Sequence, residues 1–88
     1  MNTENIIKSY FIEKKIYPFS VLFSEIEFFL KISFYLESDI EELKELIDYR
    51  SMCDKTGFLE FPSTNTIILK DMCLTKFIKI VNEYNKTI

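Results

Sequence analysis

The stretch Ile16–Leu36 constrains the fold of this chain more than any other part of the sequence. Fourteen of its 21 residues are apolar or aromatic, and this length is enough to span a membrane. Three charged residues, Glu25, Glu27 and Lys31, lie near its middle. Each central charge costs about 2.5–3.5 kcal/mol in a bilayer, whereas each Leu, Ile or Phe returns only about 0.3–0.6 kcal/mol. The stretch is therefore predicted to be buried inside a folded protein and not in a membrane.

The spacing of the polar residues predicts one long helix in this stretch, beginning at Pro18 or Ser20 and ending at about Leu36. Polar side chains recur three or four positions apart, as on one face of a helix, and Glu27 and Lys31 form a favourable i, i+4 pair. One apolar side of this helix is a candidate for an exposed interface, and it carries Val21, Phe28 and Ile32. The alternative is that these side chains belong to the core with all the others.

Three further helices and one hairpin are predicted around this long helix. Apolar spacing indicates helices over residues 4–15, 39–51 and 72–86, and two β-prone runs, Phe58–Phe61 and Thr66–Leu69, indicate a hairpin. Their helix caps are predicted at Thr3, at a Ser38–Glu41 capping box and at Asp71. Because 88 residues hold at most one domain, we expect a single domain over residues 1–88. Its expected fold is mainly α (α+β), with about four helices and one short β-hairpin between the third and fourth helix.

The composition excludes most enzymatic chemistry. The chain has no His, one Gly and two Cys, which lie twenty positions apart. A cysteine nucleophile needs an activating base, normally His, a metal site needs ligands at short spacing, and a phosphate-binding loop needs several glycines. We therefore expect no enzyme activity, no cofactor and no metal. We expect Cys53 and Cys73 to be buried thiols, and the alternative is a disulfide if the fold brings them together.

Charge is concentrated in the middle third of the chain. Residues 37–60 hold eight acidic and three basic side chains, while the whole protein has a net charge of −3. One interpretation is an ordinary solvated helix face. The other is a surface that binds a basic partner, since complementary charge speeds association and sets specificity. The candidate residues of this acidic face are Glu37, Asp39, Glu41, Glu42, Glu45 and Asp48.

Two stretches are similar to the immunity proteins of colicin D, a toxin that cuts tRNA. Residues Ile7–Ile16 (IKSYFIEKKI) resemble the first helix and turn of that family, and residues Asp71–Tyr84 resemble its last helix. The resemblance implies a helical bundle whose acidic face occupies the tRNA-binding cleft of the toxin. It assigns no individual contact residue in this chain.

The function predicted from these observations is that of a small acidic protein-binding inhibitor of the immunity, antitoxin or phage anti-defence type. It would block a basic, nucleic-acid-acting protein by surface complementarity. Two alternatives stay open. The helices over 20–36 and 39–50 and the hairpin occur in the order of a winged-helix nucleic-acid-binding protein, although the acidic net charge argues against direct nucleic-acid binding. The apolar long helix could instead form a homodimer interface in a self-associating structural subunit.

The sequence also indicates an origin and a compartment. The chain has no Ala, and ten of its eleven basic residues are Lys, which is typical of the AT-rich genome of a bacterium or phage. Residues Met1–Asn5 are polar and lack the basic and apolar regions of a secretory signal. We expect a cytoplasmic protein.

Overall fold

The structure is a computed structural model that describes residues 2–49 and 57–86. Its strands form one four-stranded antiparallel sheet. The elements in chain order are α1 (Thr3–Glu13), β1 (Ser20–Ser24), β2 (Phe29–Ser33), α2 (Glu37–Leu46), β3 (Phe58–Phe61), a 3-10 turn (Pro62–Thr64), β4 (Thr66–Lys70) and α3 (Asp71–Lys86). Across the sheet, the strands lie in the order β1-β2-β4-β3.

The expected mainly helical fold, with about four helices and one hairpin, is wrong. The described residues form three α-helices and two hairpins whose strands make one sheet, so the architecture is α+β. The error lies in residues 20–36, where hairpin β1–β2 takes the place of the long helix. No helix within the described ranges is long and apolar enough to cross a membrane.

Alternating burial explains why the strands of the first hairpin form. In β2, Leu30 and Ile32 are fully buried, while Lys31 between them is exposed. This is the two-residue period of a strand with one covered face. The β-branched and aromatic residues of both strands suit such a half-buried pleated surface. Glu27, which was expected to pair with Lys31 along a helix, lies in the loop between the strands.

The inner face of the sheet and the helices enclose the hydrophobic core. β2 and β4 pair in the middle of the sheet, with Leu30 opposite Leu69 and Ile32 opposite Ile67, and all four side chains are 0% exposed. The helices contribute side chains that are equally buried: Ile7, Phe11, Ile40, Leu43, Leu74 and Phe77. Because Lys31 points to the other face and is exposed, the helices cover only one side of the sheet.

Aromatic rings join α1 to α3. Tyr10 of α1 lies edge-on to Phe77 and Tyr84 of α3, with ring centroids 6.0 and 5.3 Å apart, and Phe11 stacks on Phe77 at 5.9 Å. Such pairs contribute about 0.5–1.5 kcal/mol each beyond the burial of their area. Burial raises the pKa of the Tyr10 phenol above its ordinary value. These contacts confirm the apolar stripe that was predicted for the last helix.

The other predicted elements are confirmed, with changes at their ends. The predicted hairpin is formed by β3 and β4, and the first and last predicted helices are α1 and α3. α1 is capped by Asn2, whose side chain accepts a hydrogen bond from the Asn5 N–H at 2.8 Å, and not by Thr3. α2 begins before the expected Ser38 capping box and has no side-chain cap. It ends at Leu46, with Ile47 as its C-cap, and not at the expected residue 51.

Cys73 is buried, as predicted, but it is not a free thiol. Cys73 is 2% exposed, and its sulfur forms a disulfide bond. The other cysteine of the sequence, Cys53, lies outside the described residues.

Gly57 lies where β3 begins against the start of α3. A Cβ atom at this position would lie 2.7 Å from the Cβ of Cys73 and 2.7 Å from the backbone oxygen of Lys70. The Lys70 N–H donates a hydrogen bond to the Gly57 carbonyl at 2.9 Å, which holds the two segments at this distance. Only a residue without a side chain fits this contact.

We expect Gly57→Ala to lower the free energy of unfolding by about 1–3 kcal/mol, because the added methyl group overpacks the contact. Urea unfolding followed by circular dichroism measures the change. The control is Ser63→Ala in the exposed 3-10 turn, which should change stability by less than about 0.5 kcal/mol. Equal stability of Gly57→Ala and the wild type would contradict the close approach.

Candidate protein-interaction surface

Helix α2 exposes its charged side because its apolar side is buried. Ile40 and Leu43 are 0% exposed, and Ile47 just after the helix is 1% exposed. Three- and four-residue spacing is the apolar period of a helix, and the intervening glutamates therefore face solvent. The apolar spacing from which this helix was predicted therefore corresponds to its buried side.

The six predicted residues of the acidic face lie together on α2 and on the turn that follows it. Five of them are exposed, and Asp39 in the first turn is partly buried. We call these residues the acidic surface: Glu37, Asp39, Glu41, Glu42, Glu45 and Asp48. Within residues 2–49 and 57–86, no group of acidic or cysteine side chains converges closely enough to hold a metal ion. The role of the acidic surface in binding stays a prediction.

Lys44, the one basic residue of α2, is turned toward the sheet. Its ammonium nitrogen lies 2.6 Å from Glu60 Oε1 on β3 and 3.5 Å from Glu41 Oε1. The same atom lies 5.4 Å from the ring centroid of Tyr49 and 5.9 Å from that of Phe58. The hydrogen bond to Glu60 raises the pKa of Lys44 above its ordinary value, against the opposing effect of burial. Glu60 is therefore the main partner of Lys44. Because Glu60 lies on β3 and not on α2, the acidic surface keeps an excess of negative charge.

A shallow depression of about 530 Å³ lies beside the C-terminal end of α2. The described residues that line it are Glu41, Lys44, Glu45, Asp48 and Tyr49. Tyr49 forms an aromatic wall, since its ring packs edge-on against Phe58 with centroids 4.5 Å apart. Three carboxylates and an aromatic ring around one opening suit a lysine or arginine side chain.

Two contributors to this site were not predicted from the sequence. Tyr49 carries no signal beyond being an aromatic residue near a helix end. Glu60 lies on β3 and meets Lys44 only because that strand returns beside α2. An acidic residue on an otherwise apolar edge strand was the one hint that Glu60 had a partner.

The acidic surface is arranged at an electrostatic cost to the helix that carries it. Glu37, Glu41 and Glu45 follow one another at i, i+4 spacing, where like charges repel by about 0.2–0.5 kcal/mol per pair. Glu45 also lies in the last turn, where a negative charge opposes the helix dipole. In the described part of the chain, no basic side chain forms an ion pair with Glu37, Glu42 or Glu45. Glu37 and Asp39 in the first turn favour the helix dipole, whereas the repulsion along the helix and the position of Glu45 lower its stability.

The apolar interface expected from the sequence is not formed. Ile32 is 0% exposed within β2, and Val21 is partly buried and packs against the core. Phe28 lies in the loop between β1 and β2, and 38% of its surface is exposed. Val21, Phe28 and Ile32 would lie on one side of a helix. In the structure they are separated, because Val21 is in β1, Ile32 is in β2 and Phe28 is in the loop between these strands.

The tip of hairpin β1–β2 is a feature that the helix prediction missed. Ile26 is 98% exposed there. Phe28 has a φ of 53°, in the left-handed region that bulky residues rarely adopt. The Ser24 hydroxyl oxygen accepts a hydrogen bond from the Glu27 N–H at 3.1 Å and closes the loop. Ser24, whose hydroxyl can accept a hydrogen bond from a nearby backbone N–H, was the sequence signal for a turn at this position.

The structural premises of the two alternative functions are not met by the described residues. A winged-helix protein would need the helix over residues 20–36, and these residues contain β1 and β2 instead. The expected homodimer interface was a face of the same helix.

Comparisons of the chain with protein-family models, curated proteins and solved structures gave no match. The resemblance of the first and last helices to the colicin D immunity proteins stays a prediction.

The Lys44–Glu60 pair is expected to make a pH-dependent contribution to stability. The folded-state pKa of Lys44 is raised above the ordinary value of 10.5. Its contribution is therefore complete below pH 10.5 and is lost as the pH rises through the folded-state pKa. Lys44→Met should lower the free energy of unfolding by about 1 kcal/mol at neutral pH. The difference from the wild type should shrink above pH 10.5.

Urea unfolding of both proteins from neutral to strongly alkaline pH measures this contribution. Lys79→Met removes an exposed lysine of α3 and is the matched control. Its free energy of unfolding should stay within about 0.5 kcal/mol of the wild type at every pH. A difference between Lys44→Met and the wild type that does not vary with pH would argue against the pair.

Proposed function

We propose that this protein is a small acidic inhibitor that binds a basic protein partner through the acidic surface of α2. The partner is a nuclease or another nucleic-acid-acting protein. Such a protein holds phosphates with lysine and arginine side chains, and carboxylates placed against these side chains compete with the nucleic acid. This mode of action is that of an immunity protein, an antitoxin or a phage anti-defence protein.

The observation that carries this proposal is the excess of negative charge on α2, where no basic side chain of the described residues forms an ion pair with Glu37, Glu42 or Glu45. Lys44, the one base of α2, is held by Glu60 at 2.6 Å. The glutamates along the helix repel one another, and the last of them opposes the helix dipole. A surface that serves only solubility mixes charges of both signs. A surface with this excess of one charge, including glutamates that repel one another along the helix, is better explained by a basic partner.

The depression beside Tyr49 supports a defined contact with that partner. A basic side chain entering it would meet the carboxylates of Glu41, Glu45 and Asp48 and the ring of Tyr49. Charges at the rim of an interface mainly speed association, whereas desolvated pairs govern dissociation. We therefore expect the depression to hold a central lysine or arginine of the partner, with the rest of the acidic surface around it.

The resemblance to the colicin D immunity proteins points to the same class of function, while the helical bundle that it implies is not the fold of this chain. Those proteins are acidic on the face that occupies a tRNA-binding cleft. In this chain the acidic surface lies on α2, between the two stretches, α1 and α3, that carry the resemblance. The resemblance does not identify the partner of this chain.

Charge reversal of the acidic surface tests the proposal. The first variant changes three of its exposed residues to lysine: Glu41, Glu42 and Glu45. The control variant makes the same change at three exposed acids of other elements: Glu13, Glu25 and Glu83. Both variants have the same net charge. Affinity for the partner should fall by about 100-fold or more in the first variant, because like charges then face each other, and by less than about threefold in the control.

The measurement has two stages. The tagged protein isolates partners from a nuclease-treated lysate, and mass spectrometry identifies them. Calorimetric titration of the purified partner then gives the affinity of each variant at low and high salt, and the wild-type affinity should decline as salt screens the charges. Unchanged affinity in the first variant, with its fold intact by circular dichroism, would refute the proposal. Partners that are captured only when nucleic acid is present would refute it as well.

A further inference from the structure

An apolar groove lies at the edge of the sheet opposite to the acidic surface. It runs between α1 and the start of β1 and has a volume of about 510 Å³. Its lining includes Ile12, Tyr17 and Phe19, which are 62%, 61% and 64% exposed. Lys8 is the only charged residue among its described lining residues. Large apolar side chains exposed along one groove are typical of a binding site, whereas scattered ones are not.

β1 is an edge strand, and part of its backbone opens into this groove. The Phe23 N–H does not pair with β2, because it donates a hydrogen bond to Glu4 Oε1 of α1 at 3.1 Å. Backbone groups alternate in direction along a strand, so Val21, two positions earlier, also directs its N–H and C=O away from β2. Val21 lines the groove. These two groups can therefore pair with an added strand.

The open part of this edge is short. At one end, the Phe23 N–H donates a hydrogen bond to Glu4 and is not free for a further strand. At the other end, the Phe19 N–H donates to the Ser33 carbonyl at 2.7 Å and is also used. The interval around Val21 accommodates about two or three residues of an extended chain. A second copy of β1 would bring the same two occupied ends, so a flexible segment of another protein fits this interval better.

Lys8 indicates the charge of that segment. Its ammonium nitrogen lies 3.6 Å from Glu4 Oε2, and its side chain is 49% exposed. An ammonium group has three donors, and Lys8 can therefore bind a further carboxylate that enters the groove. Residues 17–24, which form β1 and the approach to it, carry no charge. Apolar and acidic side chains are thus complementary to this site.

We propose that the groove binds a short, extended, acidic and apolar peptide segment of a partner protein by strand addition to β1. The backbone of the segment pairs with Val21. One apolar side chain contacts Ile12 and Tyr17, and one carboxylate binds Lys8. In this mode of recognition the main-chain hydrogen bonds supply affinity and the side-chain contacts supply specificity.

The site is separate from the acidic surface and does not rest on the function proposed for it. The other edge strand, β3, carries Glu60, which is bound to Lys44 of α2. It is followed by Pro62, which lacks an N–H donor. Charged and proline residues of this kind protect an edge from strand addition. β1 carries no charged residue and no proline between Ser20 and Ser24, and the nearest proline, Pro18, lies two residues before it.

Selection from a phage-displayed library of random linear octapeptides tests the proposal. Enriched sequences should combine alternating apolar residues with Asp or Glu. A labelled synthetic peptide of this kind should bind the wild type in a fluorescence polarisation titration. Ile12→Glu should weaken binding by at least about tenfold, because it places a negative charge in the groove. The matched control is Met72→Glu at a residue of α3 that is 63% exposed, and binding should change by less than about twofold.

Amide hydrogen exchange distinguishes strand addition from contact with side chains alone. Exchange of the Val21 N–H should slow by at least about tenfold on saturation with the peptide, because the amide gains a hydrogen bond. Exchange of the Ile26 N–H at the tip of the hairpin should not change. Both amides are read in the same spectrum of the full chain.

Several results would overturn the proposal. They are the absence of enriched peptides, equal binding of the peptide to Ile12→Glu, and unchanged exchange at Val21. Enrichment of basic peptides alone would assign the binding to the acidic surface and not to the groove. Self-association that Ile12→Glu abolishes in sedimentation would make a second copy the occupant. Since Ile12 is 62% exposed, Ile12→Glu is expected to fold, and each of these results can be read.

Discussion

The antiparallel pairing of β2 with β4 is the interaction on which the rest of the structure depends. It joins the two halves of the chain through Leu30 opposite Leu69 and Ile32 opposite Ile67. An isolated hairpin is marginally stable in water, and this pairing turns two hairpins into one sheet whose inner face the helices can cover. Burial of each of these side chains contributes about 1.5–3 kcal/mol, which is large beside a net stability of about 5–15 kcal/mol for a domain.

The same pairing decides what lies at the two edges of the sheet. Because β2 and β4 occupy the middle, β1 and β3 are left at the edges. β3 meets α2 through Glu60 and Lys44, and this contact places the acidic surface beside it. β1 meets α1 through Phe23 and Glu4, and this contact leaves the groove around Val21 open. Two chemically different surfaces, one acidic and one apolar, therefore lie at opposite edges of one small sheet.

Sequence patterns predicted those elements whose periodicity is unambiguous. The three helices have apolar residues at helical spacing, and a proline-containing turn separates the β-prone runs of β3 and β4. Residues 20–36 were misassigned because apolar residues are so dense there that both a period of two and a helical period can be found. Ser20, Ser24 and Lys31 fit the helical period by coincidence, since they lie on the outer face of the sheet. Glu27, which also fitted it, lies in a loop.

The amino-acid sequence by itself determined that α2 is acidic on one side and apolar on the other, because helical spacing and side-chain charge are local properties. It also determined that the last helix has an apolar stripe, for the same reason. Only the tertiary structure decided that Lys44 is bound to Glu60, that Val21 lies on an open edge and that Ile32 is buried. Each of these outcomes depends on which strands pair across the chain, and local periodicity does not encode a contact between distant segments.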